Sequence, residues 1–345
     1  MQRKSLAREQ WPAADQAAWQ AACRPGIRLL RGGAASHLKL VSRQDLERRY
    51  AIYLDFLDRN RRLDANLPAA AHVTRENVDA YLRETKRLVS SVTVYNSISN
   101  LRRIAQMLGP GLDLTWLIEI ENDLAMVMVP RTKYGRLVLT GVLIDAGLTL
   151  IEEAKCSPNM SSLKRARQHR NGLMVAMLAH HPIRLKNFAA LEIGRSFLQV
   201  KGRWWIVLSA SETKEGRPDE RPVDPSILPA LEAYLRIHRP ILARASDQSR
   251  ALWLASNTGE AMGYSAVEKT ISQTTRMTVG IDVSPHLFRT AIASTAAILS
   301  GEHPELGSAL LHHSDLRVRD KHYNRASCLN AGQAYLNVIT RYRGH

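Results

Sequence analysis

The chain has 345 residues, with 48 Lys and Arg against 32 Asp and Glu and a net charge of +16; its pI is about 10.1. That length accommodates two domains with ordinary cores, and that charge points to a polyanion, nucleic acid ahead of an acidic membrane surface. Cys23, Cys156 and Cys328 are odd in number, far apart and form no C-x-x-C pair, which speaks against a disulfide framework or a zinc knuckle. There is no apolar run of about eighteen residues and no apolar leader. The expectation is a cytosolic protein without a membrane partner.

Residues 1–41 read as a basic N-terminal arm. Residues 1–40 carry Arg3, Lys4, Arg8, Arg24, Arg28, Arg31 and Lys39 against Glu9 and Asp15, and Arg31 to Ser36 looks like a joint. Such an arm either touches DNA backbone or a neighbouring subunit, or is a partly ordered tail. From Ser42 the pattern turns helical: Leu46, Tyr50, Tyr53, Leu54 and Leu57 share one face. A break at Leu67-Pro68 precedes a helix begun at Thr74. A third follows Ser90-Ser91, with Val94, Ile98, Leu101, Ala105 and Leu108 as its stripe and Gly109-Pro110-Gly111 as its stop. Arg102 and Arg103 lie off that stripe. Thr115 to Met128 makes a fourth helix, ended by Pro130. These elements place a helical domain at 42–130.

Residues 131–137, basic and containing Lys133, read as a linker, and 138–345 as a second domain. It opens with a helical pattern over Leu137 to Glu153. An apolar helix follows from Arg170 to His181, and Pro182-Ile183-Arg184 comes directly after it. Phe197 to Val200 and Trp204 to Leu208 read as short strand-like runs about a Lys201-Gly202-Arg203 turn. A polar loop through Glu212, Thr213 and Lys214 leads to Arg221-Pro222-Val223. Helices are expected from Pro225 to Ala245 and from Tyr264 to about Val279, with Lys269, Gln273, Thr274 and Arg276 facing outward on the second.

The chemistry-bearing residues concentrate in Ser284 to Tyr323. Ser284 is a favoured helix N-cap and Pro285 a favoured first helical residue, so His286 and Arg289, three apart, should share one face of the first turn. An imidazole and a guanidinium there suit an anion, phosphate above all. His312-His313 ends the apolar run Ala309-Leu310-Leu311, and Tyr323 follows ten residues after His313. His286, His312, His313, His322 and Cys328 lack H-x-x-x-H spacing and a carboxylate partner. No metal and no cofactor are expected.

His286-x-x-Arg289, then Leu311-His312-His313-Ser314, then Tyr323 resembles the C-terminal signature of the tyrosine recombinases, the phage-integrase family. The resemblance implies a mainly α fold with a small antiparallel β-sheet, a helical core-binding domain and a mixed α/β catalytic domain that close on DNA as a C-clamp. It also makes Arg184 the first catalytic arginine, because His181-Pro182-Ile183-Arg184 matches the register of T-G-[L/M]-R. Pro182 departs from the usual glycine there, Asn187 stands where Glu is commoner, and His312 replaces a second glycine. Lys214 corresponds to the lysine of the β2–β3 loop, with Lys201 as the competitor.

The roles implied are Tyr323 as nucleophile, Arg184 and Arg289 on the non-bridging oxygens and His286 in proton transfer at the tyrosine. His313 would hydrogen-bond the phosphate, and Lys214 would protonate the leaving 5′ oxygen. Tyr335 and Tyr342 lie too far downstream to compete with Tyr323. Arg102, Arg103, Lys133, Lys269, Gln273 and Arg276 are the expected DNA contacts. The resemblance further implies double-stranded DNA as partner, a homotetramer holding two DNA sites in a synapse, and a bacterial, nucleoid-associated setting. Rival readings are a type IB topoisomerase and a non-cleaving DNA-binding protein of the same fold. The choice among integration, excision and chromosome resolution is not written in the residues.

Overall fold

The computed structural model describes residues 5–130, 134–214, 216–244 and 249–299. The chain divides into two compact units, 1–132 and 133–345, each with its own hydrophobic core. No helix among the described residues is long and apolar enough to cross a membrane.

The first unit consists of α1 (Ala13–Ala22), α2 (Leu40–Arg59), α3 (Arg75–Leu88), α4 (Ser91–Leu108) and α5 (Thr115–Val127). Two of these helix starts, those of α3 and α4, follow from side-chain caps. Thr74 Oγ1 accepts the Asn77 N–H at 3.2 Å, and Ser90 Oγ accepts that of Thr93 at 3.4 Å; each satisfies a donor that the first turn leaves unpaired. Leu46, Tyr50, Tyr53, Leu54 and Leu57 of α2 are all buried, as are Val94, Ile98, Leu101, Ala105 and Leu108 of α4.

The reading of residues 1–41 as an arm needs correction. Trp11 and Trp19 lie in the same core as α2 and α4. The Trp11 ring meets Tyr50 edge-on at 5.2 Å, and the Leu6 N–H donates to the Ala51 carbonyl at 3.1 Å. Buried Asp15 accepts the Ala70 N–H at 2.6 Å. Counting charge over this segment draws attention to its arginines, whereas two indoles supply apolar area that the bundle has to bury.

The second unit opens with α6 (Thr140–Cys156) and α7 (Ser162–His180), packed side by side. Gly147 and Gly172 make the close approach possible: a Cβ on either would strike the other's carbonyl oxygen. Next come α8 (Leu185–Ala189) and a three-stranded antiparallel sheet in the order β1 (Phe197–Val200), β2 (Arg203–Leu208), β3 (Asp219–Pro222). Lys201 and Gly202 form the β1–β2 turn with φ of 48° and 79°, the two positive values that a tight two-residue hairpin uses. Arg203, expected in this turn, instead pairs with Val200 as the first residue of β2.

The helix expected over 225–245 is α9 (Leu228–Ala233) and α10 (Arg239–Ala243), joined by a π-turn at Tyr234–His238. The unit ends its described part with α11 (Tyr264–Val279) and α12 (Pro285–Leu299). Gly280 closes α11 at φ 73°, the left-handed conformation glycine takes past a helix end.

Candidate active site

α12 begins at Pro285, where the Ser-Pro pair predicts it, and its first turn is closed by the Leu287 N–H on the Ser284 carbonyl at 2.8 Å. Two contacts set its position. Thr275 Oγ1 in α11 accepts the Val283 N–H at 3.0 Å, fixing the approach to the turn. Farther along, Thr295 Oγ1 accepts the Thr140 N–H at the head of α6 at 3.1 Å. The first turn therefore presents His286 exposed and Arg289 buried, at 9 % exposure. Sharing a face does not give them the same solvent: position 289 is one turn deeper into the unit.

Arg289 is bound where it matters for the site. Its Nη1 donates to the buried carbonyl oxygen of Pro182, 107 residues away. A guanidinium held on a carbonyl loses rotational freedom, and a charged donor satisfies an acceptor that would otherwise be buried unpaired. This contact brings the His286-x-x-Arg289 turn against the segment leading into α8, whose N-cap residue is Arg184, half-buried and extended at φ −66°, ψ 140°. The Asn187 and Phe188 N–H groups both reach the Arg184 carbonyl at 2.9 Å. Phe188 anchors α8 from behind: its ring lies 5.1 Å from that of Trp253, and its carbonyl accepts the Trp253 indole N–H at 2.9 Å.

His181, singled out in the sequence only for its register, props the same segment. Its Nε2 accepts the Asp224 N–H at 3.2 Å, and its carbonyl accepts the Ile183 N–H at 2.7 Å in a tight turn. Burial, with His180 and Arg221 adding to it, pushes the His181 imidazole down to about 4. Burial likewise pushes His238 down to about 4. The sign follows from linkage. Each folded-state value lies below the ordinary one near 6.5, so the stability is whole above that pH and is lost as pH falls toward 4, while only the unfolded chain takes up protons. The melting temperature of the second unit is therefore expected to drop between pH 7 and pH 5 in thermal melts. His181→Asn, whose amide oxygen can still accept from Asp224, should reduce that drop; an unchanged pH dependence would remove His181 as a cause.

Lys214 sits exposed in the β2–β3 loop. Thr213 shapes this loop: its Oγ1 donates to the Arg217 carbonyl at 2.7 Å and accepts the Arg217 N–H at 3.1 Å. Glu212, one residue earlier, ties the loop to Arg195 at 2.7 Å and to the Ser209 N–H at 2.9 Å. The competitor, Lys201, occupies the opposite turn of the β2 hairpin. His313 and Tyr323, with the alternatives Tyr335 and Tyr342, lie outside the described residues, as does Lys133.

Of the expected DNA contacts, Lys269, Gln273 and Arg276 fall on the exposed face of α11 at i, i+4 and i+7. Thr274, placed with them by sequence, is buried and donates to the Thr270 carbonyl at 2.7 Å. It belongs to the stripe with Val267, Ile271 and Thr275. Arg103 is exposed. Arg102 is mostly covered and ion-paired with Glu121 of α5, whose nearly buried carboxylate requires a cation. Nothing in the spacing of α4 reveals that pairing, because its partner is nineteen residues away on another helix.

No protein-family model matches this sequence, and no curated relative matches it. Among the described residues the chain is mainly helical with a small three-stranded antiparallel sheet, and its fold resembles that of the tyrosine recombinases. Among solved structures, the chain is similar to the XerH site-specific recombinase, seen bound to its difH substrate in a pre-cleavage complex. The TM-score is 0.57 at 14% identity, covering 84% of this chain and 78% of that one. The XerA recombinase also matches, with a TM-score of 0.39 at 16% identity over 87% of this chain and 94% of that one.

Proposed function

We propose that this chain is a tyrosine recombinase that cleaves and rejoins double-stranded DNA. The observation that carries the proposal is the contact of Arg289 with the Pro182 carbonyl. It sets the second basic motif against the first, two residues from Arg184, in a chain with this fold and a net charge of +16. Two arginines carried on segments that touch suit the non-bridging oxygens of a phosphodiester, where charge grows as the phosphorus becomes five-coordinate.

In this reading the phenolic oxygen of Tyr323 attacks phosphorus as its proton passes to a base, with His286 assisting. The O–P bond to tyrosine forms while the bond to the 5′ oxygen breaks. Lys214 gives the leaving oxygen its proton, and His313 holds the phosphate. The phenol needs this help because its ordinary pKa is near 10. The product is a 3′-phosphotyrosyl end with a free 5′-hydroxyl. One ester has replaced another, so a 5′-hydroxyl from a second duplex can reverse the step without ATP. Lys269, Gln273 and Arg276 on α11, with Arg103 and Lys133, would contact the duplex, and Arg102 would do so only by giving up Glu121. Exchange between two sites calls for four copies, each supplying one tyrosine.

A set of nicked duplexes spanning the DNA that flanks the coding sequence tests this directly. The wild-type protein should form a covalent adduct that survives denaturing electrophoresis, and Tyr323→Phe should form none. DNA binding with no adduct from either protein would instead establish the non-cleaving reading. Relaxation of a supercoiled plasmid lacking any such site would favour the topoisomerase reading.

A further inference from the structure

Between α1 and α2 the chain builds a loop that the cleavage chemistry does not use. Its neck is closed by backbone: the Gly33 N–H donates to the Arg24 carbonyl at 3.0 Å, and the Ala35 N–H to the Ala22 carbonyl at 2.8 Å. Glycines allow the strands of the neck to touch. A Cβ on Gly32 would collide with the Gly26 nitrogen, and one on Gly33 with the Ala21 and Ala22 carbonyls. Arg43 of α2 locks the base from the other side. Its Nε donates to the Leu38 carbonyl at 3.0 Å, and its Nη atoms to those of Cys23 at 3.3 Å and Ser36 at 2.6 Å. At the tip, Ile27 and Leu30 exchange both backbone hydrogen bonds at 3.0 Å around the turn Arg28-Leu29.

A loop anchored this firmly normally tucks its aliphatic side chains inward. This one does the reverse: Ile27 is 67 % exposed, Leu29 93 % and Leu30 66 %. Their chain neighbours Arg24, Arg28 and Arg31 are exposed as well. From Gln16 to Gln44 the chain has five basic residues (Arg24, Arg28, Arg31, Lys39 and Arg43) and no Asp or Glu. An apolar tip in a basic stretch of chain without carboxylates of its own fits an anionic surface that has an apolar interior. Double-stranded DNA is such a surface: phosphates line the groove and base faces stack between them. Proteins that kink DNA drive aliphatic side chains between base steps while neighbouring arginines hold the backbone.

We propose that the 24–33 loop is a DNA wedge, in which Leu29 inserts at a base step and Arg28 and Arg31 engage the flanking phosphates. The proposal rests on the DNA-binding reading given above, but on different residues. It adds a deforming contact to a protein whose cleavage residues lie in its other unit.

The test uses the full-length protein and a mixed-sequence duplex carrying 2-aminopurine at flexible TA steps, whose fluorescence rises when a base unstacks. Wild type is expected to raise the fluorescence and bind tightly. Leu29→Ser should abolish the rise and weaken binding about tenfold, about half or more of what burying one leucine contributes, with an unchanged salt slope. The double variant Arg28→Ala, Arg31→Ala should flatten the slope of log affinity against log salt by about two. At 93 % exposure Leu29 has no packing to lose, so the serine variant folds. Equal binding and equal fluorescence for Leu29→Ser would overturn the wedge while leaving the recombinase reading intact. Absence of any duplex binding by wild type would overturn both. Flotation of wild type, but not of Leu29→Ser, with phosphatidylglycerol vesicles, alongside a silent duplex signal, would assign the loop to a membrane surface instead.

Discussion

Arg289→Ala is expected to slow covalent adduct formation on nicked DNA by about a thousandfold or more, with duplex binding changed far less. The size follows from what one positioned donor contributes at a centre where charge develops, about a hundred- to a thousandfold, and more where a guanidinium meets a phosphoryl group. The structure separates two consequences of the substitution. Losing the guanidinium removes charge from the site, and it also leaves the Pro182 carbonyl, buried and previously paired with Nη1, without a donor. The second effect costs about 1–3 kcal/mol of stability and loosens the segment that carries Arg184. Arg289→Lys distinguishes them. An ammonium keeps the charge and can still donate to one carbonyl, but it cannot present a planar fork. It should recover most of the lost stability in urea denaturation while adduct formation stays at least about a hundredfold down. A lysine variant that cleaves at near wild-type rate would sink the assignment of Arg289 to the phosphate and leave it as a strut for the α8 segment.

The parts of this site that the sequence disclosed are those fixed by local chemistry. Ser284-Pro285 marks a helix start wherever it stands before such a pattern, and α12 begins there. Thr74 and Ser90 announce their helices for the same reason. Two strands of the sheet were legible as short strand-like runs and Lys201-Gly202 from the turn it makes, whereas the third strand was implied only by the family resemblance. What stayed hidden depends on which surfaces meet. Arg289 reaches a carbonyl 107 residues back, and no periodicity encodes that. Arg102 looks like a free basic face until α5 brings Glu121 beside it. Thr274 was placed on the outer face of α11 because it is polar, yet its hydroxyl is satisfied by its own helix and it turns inward. In each case the residue type was read correctly, and its partner came from another turn or another helix.

The N-terminal segment yields the largest expected stability effect. Trp19→Ala should destabilise the first unit by about 3–5 kcal/mol, the range for truncating a large aromatic in a packed core. The indole is 1 % exposed, and the N-terminal segment that carries it is bound to the rest at several points. Trp11 lies against Tyr50, Leu6 bonds Ala51, and Asp15 holds the Ala70 N–H. A hole at position 19 cannot collapse easily, because α1 is short and its other core residue at that end, Ala22, is small. Deleting residues 1–41 should be more severe and leave the helical unit without a cooperative transition, since it removes both tryptophans together with the carboxylate at Ala70. Urea denaturation, followed by tryptophan fluorescence and by far-ultraviolet circular dichroism, would measure both. Leu29→Ser is the control, because it alters the same segment at a side chain that touches little, and it should shift the midpoint hardly at all. A deletion variant that unfolds at the wild-type midpoint would show that the segment is an appendage after all. A destabilised one would mean that DNA binding measured on a truncated chain reports an unfolded bundle, so that tests of the wedge require the whole protein.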